Sequence, residues 1–303
     1  DHVRRARIQL VQMGNFGAEF YSLADDEGIQ QSGSGMPLQG AKANLDLAAV
    51  VIGQVQEAGA KVSGQLSTTM IFGNHEEGLG LFGDQWARMW TDDLLGPAPC
   101  ASAEEVCQRE PDGSLRWRTI EGRPHRTYRG CMSNPMWLAA LKAMVGKGIE
   151  VGLDGFNATH HYESLCHCQY CNEYARAYLL TRLTEEEIVG IFGFADLDQV
   201  ADVLTAQDEC PEQLQARLKL VLAQGSDLKR KECFDEVFIE FGRSLKPGLL
   251  LAQWNHKYDL RPHDERCLLP QQLWGRGEDY IWYSQGPSKA ITSLSQGYLA
   301  DMG

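Results

Sequence analysis

Ser133-Asn134-Pro135 and Ile149-Glu150-Val151-Gly152-Leu153-Asp154-Gly155-Phe156 bracket a helix-then-strand unit that decides the fold class. Proline at a first helical position sacrifices no hydrogen bond, so a helix is predicted from Pro135 to Val145, with Gly146 to Gly148 ending it. The apolar run after it predicts a buried strand with Asp154 at its end. The rhythm repeats outward. Upstream, Arg7 to Met13 predicts a strand that opens into the loop Gly14-Asn15-Phe16-Gly17. Leu45, Leu47, Ala48, Val51, Ile52 and Val55 then fall at helical spacing up to Ala58-Gly59, and Lys61 to Ser67 follows as a second strand. Downstream, Phe234 to Leu245 predicts a helix, Pro247-Gly248 a break, Leu249 to Trp254 a strand, and Tyr280 to Ser284 one more. Trp137, Leu141 and Met144 recur at helical spacing and are assigned to the core.

Strands alternating with helices imply an α/β fold with a mostly parallel sheet, open or closed, and functional loops after the carboxyl ends of the strands. The expectation is a (β/α)8 TIM-type barrel forming a single domain over residues 1–303. Five strands are evident where closure needs eight, so the barrel is incomplete in this chain or some strands escape the pattern. No glycine-rich dinucleotide or phosphate-binding loop follows a strand.

The net charge of −13, from 41 acidic and 28 basic residues, opposes a phosphate backbone or an anionic membrane surface, so neither nucleic acid nor membrane is an expected partner. Lys229-Arg230-Lys231 reads as a solvated helix face. No long apolar run occurs, and Asp1-His2-Val3-Arg4-Arg5 does not resemble a signal peptide, so the cytoplasm is the expected location. Secretion stays open, because a leader removed upstream would leave the same start. Nine cysteines, an odd number in a chain of 303 residues, fit thiols and a metal better than a disulfide framework. Cys100, Cys107, Cys210, Cys233 and Cys267 are scattered and read as core or surface thiols.

The remaining four are not scattered. Cys166-His167-Cys168-Gln169-Tyr170-Cys171 sets three thiols within one short stretch, and Cys131 opens the helix leading into the preceding strand. Four thiolates suit a closed tetrahedral Zn²⁺ site of structural type. A disulfide, an adventitious cluster, or His167 in place of one sulfur are the alternatives. Cys131-Met132-Ser133-Asn134-Pro135, a helix, a strand, and then Cys166 to Cys171 followed by Asn172-Glu173-Tyr174-Ala175-Arg176-Ala177-Tyr178-Leu179 resembles the zinc-binding region of family 42 β-galactosidases and their relatives. The specific part spans roughly residues 128 to 185. The resemblance implies a retaining glycosidase barrel with structural zinc on Cys131, Cys166, Cys168 and Cys171, an acid/base after strand four and a nucleophile after strand seven. It also implies that the first strand lies upstream of Asp1, and homo-oligomers would be in keeping with related barrels.

In that family an Asn-Glu pair ends the strand before the cysteines, whereas this chain reads Phe156-Asn157-Ala158-Thr159, and an amide cannot deliver a proton. The titratable groups nearby are Asp154, His160, His161 and Glu163, ranked Glu163 and His160 first, His161 next and Asp154 last. No nucleophile carboxylate is evident after a late strand. Candidate sugar contacts are Gln12, Asn15 and Phe16 after the first strand, Asn157, then Trp254, Asn255 and His256, and then Trp282 and Tyr283. Aromatic faces stack on sugars, and amides and imidazoles bond hydroxyls. Ser67, Thr68 and Thr69 would complete the wall. The expected function is a glycoside hydrolase with non-standard catalytic residues, acting on an oligosaccharide, polysaccharide or other glycoside. The alternatives are a catalytically silent barrel that binds sugar or a partner chain, or a polysaccharide lyase using His160 with Tyr162 or Tyr283.

Overall fold

The structure is a computed structural model, which describes residues 1–22, 40–119, 126–159, 165–206, 210–256, 271–280 and 282–284. In chain order the elements are α1 (His2–Ala6), β1 (Leu10–Asn15), α2 (Ala18–Ser22), α3 (Ala41–Glu57), β2 (Lys61–Ser67), β3 (Met70–Asn74), β4 (Leu79–Gly80) and α4 (Gln85–Met89). There follow β5 (Trp117–Thr119), β6 (Arg126–Arg129), α5 (Pro135–Glu150), β7 (Gly155–Thr159), α6 (Gln169–Arg182), α7 (Glu185–Phe192), α8 (Glu212–Phe234), β8 (Leu250–His256), α9 (Gln271–Trp274) and β9 (Trp282–Ser284).

Five strands pair in parallel in the order β1-β2-β7-β8-β9. They are the five strands expected from the apolar runs. Their order follows the chain without reversal, unlike a doubly wound sheet, where the order switches about a central crevice. The fold is therefore α/β with a parallel sheet wound in one direction.

Strand register sorts the side chains into two faces. Gln12 pairs with Ser63, Gln65 with Asn157, Ser67 with Thr159, and Asn157 with Ala252. Residues two apart share a face, so Gln12, Ser63, Gln65, Ser67, Asn157 and Thr159 form a polar one. Val62, Leu66, Phe156, Ala158 and Leu251 occupy the other and join the main core with Ile52, Trp137, Leu141, Met144 and Phe238. Tyr280 bridges the polar face at its amino end, its hydroxyl 2.5 Å from Ser63 Oγ.

The helix before β7 does not stop at Gly146 to Gly148 but runs to Glu150. Gly148 serves close packing instead: a Cβ there would lie 2.6 Å from the Phe156 ring. The chain turns at Gly152, whose φ of 107° suits glycine. The strand consequently begins at Gly155, and Asp154 lies at its amino end, on the opposite side from the loop to which the sequence pattern assigned it. There the carboxylate accepts from Val62 N (3.0 Å), Gln56 Nε2 (2.9 Å), Lys61 Nζ and Lys246 Nζ (both 3.3 Å). It ties α3, β2 and the approach to β8 together.

The helix predicted from Phe234 continues back to Glu212, because Leu218, Val221, Leu222 and Gly225 make a buried stripe at helical spacing. It carries on as a π-helix over Asp235–Gly242, which lays Phe238 against Phe156 with ring centroids 6.0 Å apart. Lys229-Arg230-Lys231 is not a solvated face. Arg230 and Lys231 are buried, Arg230 bonded to Asp227 (2.9 Å) and Lys231 to Asp235 and Arg276 O, so charge complementarity replaces solvent.

Between β2 and α5 the chain inserts a four-stranded antiparallel sheet, β4-β3-β6-β5, that the sequence pattern did not reveal. Ser67, Thr68 and Thr69 form the corner. Ser67 Oγ accepts from Met70 N (3.2 Å), Thr68 O from Trp137 Nε1 (2.8 Å), and Thr69 O from Gly130 N (2.6 Å). All three are buried, and they join the two sheets.

Asp154 generates a stability prediction. Burial opposes its charge, but the hydrogen bonds from Gln56 and Val62 and the Lys246 ammonium outweigh burial and hold the carboxyl below its ordinary range. A depressed carboxyl contributes stability above its unfolded value and loses it as pH falls through the folded one. Asp154→Ala should cost about 2–3 kcal/mol at neutral pH, with the deficit shrinking in acid. Denaturant unfolding of both proteins at neutral and acid pH measures this; equal stability at neutral pH would show that the carboxylate anchors nothing.

Candidate metal centre and the polar sheet face

Cys131 sits in the turn before α5, where Asn134 caps the helix by accepting from Met136 N (2.9 Å) and Pro135 takes the first position. Its amide donates to Val106 O (2.8 Å), which fixes it against the inserted segment. Cys168 is the N-cap of α6 and Cys171 lies in that helix's first turn, so the positive end of the helix dipole faces the sulfurs. The loop leading in is held by His167 N donating to Arg109 O (3.0 Å) and Arg116 Nη1 donating to Leu165 O (3.2 Å).

The four sulfurs converge. Cys131 lies 3.4 Å from Cys171, 3.6 Å from Cys168 and 3.8 Å from Cys166, and Cys166 lies 3.7 Å from Cys171. All four lie within 4.8 Å of one another. A disulfide would need about 2.05 Å. A tetrahedron with arms of about 2.3 Å, the usual thiolate–metal length, has edges of about 3.8 Å, so one tetrahedral ion fits the observed edges. Cys131, Cys166 and Cys171 are buried and Cys168 partly so; four sulfurs fill the coordination shell, which is the pattern of a structural site. His167 is not among them: its Nδ1 faces Asp202 Oδ2 at 2.6 Å.

Hydrogen bonds from Cys131, Cys166 and Cys171 push the Cys168 thiol far below its usual range, while hydrogen bonding with Cys166, Cys168 and Cys171, and then burial, push Cys131 up. Hydrogen bonding with Cys131 lowers Cys166 as well, so the four sulfurs compete for negative charge. A divalent cation would relieve that competition by stabilising all four as thiolates. Of the other described cysteines, Cys107, Cys210 and Cys233 are core thiols and Cys100 is partly exposed. Cys107 and Cys233 are wholly buried, and burial raises both, Cys233 to about 12. Cys267 lies outside the described residues.

On the polar sheet face, Gln12 Nε2 donates to Gln65 Oε1 (3.1 Å), Asn157 Nδ2 to Gln12 Oε1 (3.4 Å), and Gln65 Nε2 to Thr159 Oγ1 (3.3 Å). Gln12 and Asn157, predicted as sugar contacts, are thus brought together, and Gln65 joins them. Gln65 was readable from the alternation of Ser63, Gln65 and Ser67 with Val62, Gly64 and Leu66. Asn157 is fully buried and its Oδ1 has no partner among the described residues. Phe16 does not belong here: its ring is buried and stacks on Phe20 at 5.8 Å, because the backbone turns inward where Phe16 N donates to Gln65 O. Trp254, Asn255 and His256 end β8, and Trp282 and Tyr283 lie in β9 beside them, Trp254 paired with Trp282 and Asn255 with Tyr283. Asn15 ends β1. The side chains of these six, together with His160, His161, Tyr162 and Glu163, lie outside the described residues.

No protein-family model and no curated protein matches the chain. Solved structures resemble it distantly. A family GH13_31 enzyme is 9% identical with a TM-score of 0.37, over 90% of this chain and 44% of that one. A morphinone reductase variant in complex with tetrahydroNAD is 13% identical with a TM-score of 0.32, over 99% and 66%. α-L-Fucosidase isoenzyme 2 from Paenibacillus thiaminolyticus is 14% identical with a TM-score of 0.32, over 81% and 32%. The chain spans less than half of the two glycoside hydrolase family enzymes and about two thirds of the reductase. Hydrolases and a reductase occur at the same level, so the chemistry has to come from this chain's own residues.

The sulfur geometry predicts about one metal ion per chain. Cys166→Ser should lose the ion and destabilise the α6–α8 layer by several kcal/mol, read by elemental analysis and thermal unfolding. Because thiolates are the ligands, metal uptake should release protons and weaken as pH falls. Metal-free purified protein whose stability is untouched by Cys166→Ser would overturn the assignment.

Proposed function

We propose that the chain folds as a (β/α)8-type barrel of a carbohydrate-active enzyme, a glycoside hydrolase with non-standard catalytic residues, and that the ion of its four-cysteine site is Zn²⁺. The observation that carries the reading is the polar row of Gln12, Gln65, Asn157 and Thr159, which runs to the carboxyl ends of β2 and β7. Amides at that end bond sugar hydroxyls, and Trp254 and Trp282, neighbours in register, supply rings for sugar faces. Four sulfur ligands in tetrahedral array also suit iron, so elemental analysis separates the two metals. The ion's role is to pin the loops; no coordination position is left for substrate.

With Asn157 where the resembling family keeps its acid, and Asp154 engaged at the other end of the strand, proton transfer falls to the segment after Thr159. Glu163 and His160 are the first choices and His161 the next. A group of matched acidity there donates to the leaving oxygen and contributes about 10²- to 10⁴-fold. The loss of an acid from the strand itself supports a second reading, a barrel that binds sugar without cleaving it.

A screen on aryl glycosides and glycans, followed by Glu163→Gln, His160→Asn and His161→Asn, decides between them. The hydrolase reading expects turnover to fall by about 10²- to 10⁴-fold in at least one variant while metal content and thermal stability stay unchanged. Saturable sugar binding without turnover supports the second reading, and an unsaturated uronide product would replace hydrolysis by a lyase.

A further inference from the structure

A cavity of about 310 Å³ opens on one face of the inserted sheet, and among the described residues none from the parallel sheet lines it. Its volume lies at the lower end of small-molecule sites. Register brings its residues together. Tyr128 pairs with Trp117 on one side and Ile71 on the other, and Arg126 pairs with Gly73, so Trp117, Tyr128 and Arg126 share a face. The same alternation, continued past the end of β3, places His75 there, and Glu104 and Arg109 close the rim.

The polar groups are fixed before any ligand arrives. Glu76 grips Arg126 through both oxygens, at 2.9 Å to Nη1 and 3.1 Å to Nη2, and the guanidinium stands 4.0 Å over the Trp117 ring. Glu104 faces His75 Nε2 with one oxygen (3.2 Å) and Arg109 with the other (3.5 Å), and Arg109 Nη2 also donates to the Glu104 carbonyl (3.0 Å). The His75 amide donates to the Tyr128 hydroxyl (3.0 Å), and its ring meets Phe82 edge-on. An ionic ligand would have to displace one of these partners. A hydroxyl, by contrast, can bond the carboxylates' further lone pairs without breaking a pair, because each carboxylate offers about four acceptor sites.

Beside these groups Trp117 is 45% exposed, a large apolar ring in water. Polar groups of fixed direction next to an exposed indole match the hydroxyl edge and the C–H face of a sugar ring. His75 and Glu104 are exposed at 43% and 45%, so the rim is open and a chain can continue out of the cavity. We propose that this cavity is an accessory carbohydrate site, separate from the polar sheet face, that holds one neutral sugar unit of a longer chain. The choice of a sugar rests on the carbohydrate reading above, and the test separates the two.

The test is calorimetric titration of the intact protein with cellotetraose, xylotetraose, mannotetraose and β-1,4-galactotetraose. Saturable binding of at least one is expected. Trp117→Ala and His75→Ala should each weaken it about tenfold, whereas Arg118→Ala, on the same strand as Trp117 but the opposite face, should leave it unchanged. Independently of any variant, the bound tetrasaccharide should slow carbethoxylation of His75 by diethyl pyrocarbonate, read by peptide mass, and leave that of exposed His2 unaltered. Binding by none of the four overturns the accessory site, while turnover in the glycoside screen would still uphold the carbohydrate reading. Binding that ignores both variants and leaves His75 unprotected overturns the accessory site alone. Protection of His75 without turnover of any glycoside upholds the site and removes the hydrolase reading.

Discussion

Four sulfurs held within one tetrahedron's span are the constraint around which the described structure is arranged. Cys131 belongs to the turn that launches α5, Cys166 to the loop after β7, and Cys168 and Cys171 to the start of α6. Their convergence fixes where two helices begin relative to each other. It also fixes the inserted segment, because Val106 accepts from the Cys131 amide and Arg109 from the His167 amide. The helical layer of α6, α7 and α8 has its own apolar cluster, including Leu179, Leu218, Val221 and Leu222, in which Cys131, Cys166 and Cys171 take part. A closed four-thiolate site in this position adds order to loops that bury little surface of their own.

The parallel sheet supplies a second constraint, and it acts through polarity. One face is apolar and packs on α5 and the helix that carries Phe238, while the other carries amides and hydroxyls. Such a face survives burial because its members satisfy one another: Gln12, Gln65, Asn157 and Thr159 form one chain of hydrogen bonds. The Asn157 Oδ1 left over is a buried acceptor without a partner among the described residues. Amides carry both donors and acceptors but do not ionise, so this row has hydrogen-bonding capacity without acid or base character.

The five parallel strands and the cysteine set were readable in the sequence because both depend on local periodicity and spacing. Lys61 to Ser67 agrees residue for residue, since its ends are set by a turn and a corner. Gly148 misled because a glycine signals either a stop or a close approach, and only Phe156, eight residues on, decides which. That error moved Asp154 from one end of a strand to the other. The inserted sheet was hidden for a different reason: β4 and β5 are two and three residues long, too short for any period to emerge. Arg230 and Lys231 read as solvated because their partners Asp227, Asp235 and Arg276 are defined by helix packing rather than by composition.

The structural anchors and the polar row therefore occupy separate parts of the chain. The sulfurs lie at the helix starts, and the Asp154 anchor at the amino ends of the strands, whereas the polar row rises toward the carboxyl ends. Strand-end residues can then vary without disturbing what holds the sheet together, as the general separation of scaffold and loops in parallel α/β folds permits. Asn157 lies within that scaffold: the strand around it keeps its register with β2 and β8, and its amide joins the polar row without taking any part in the anchors.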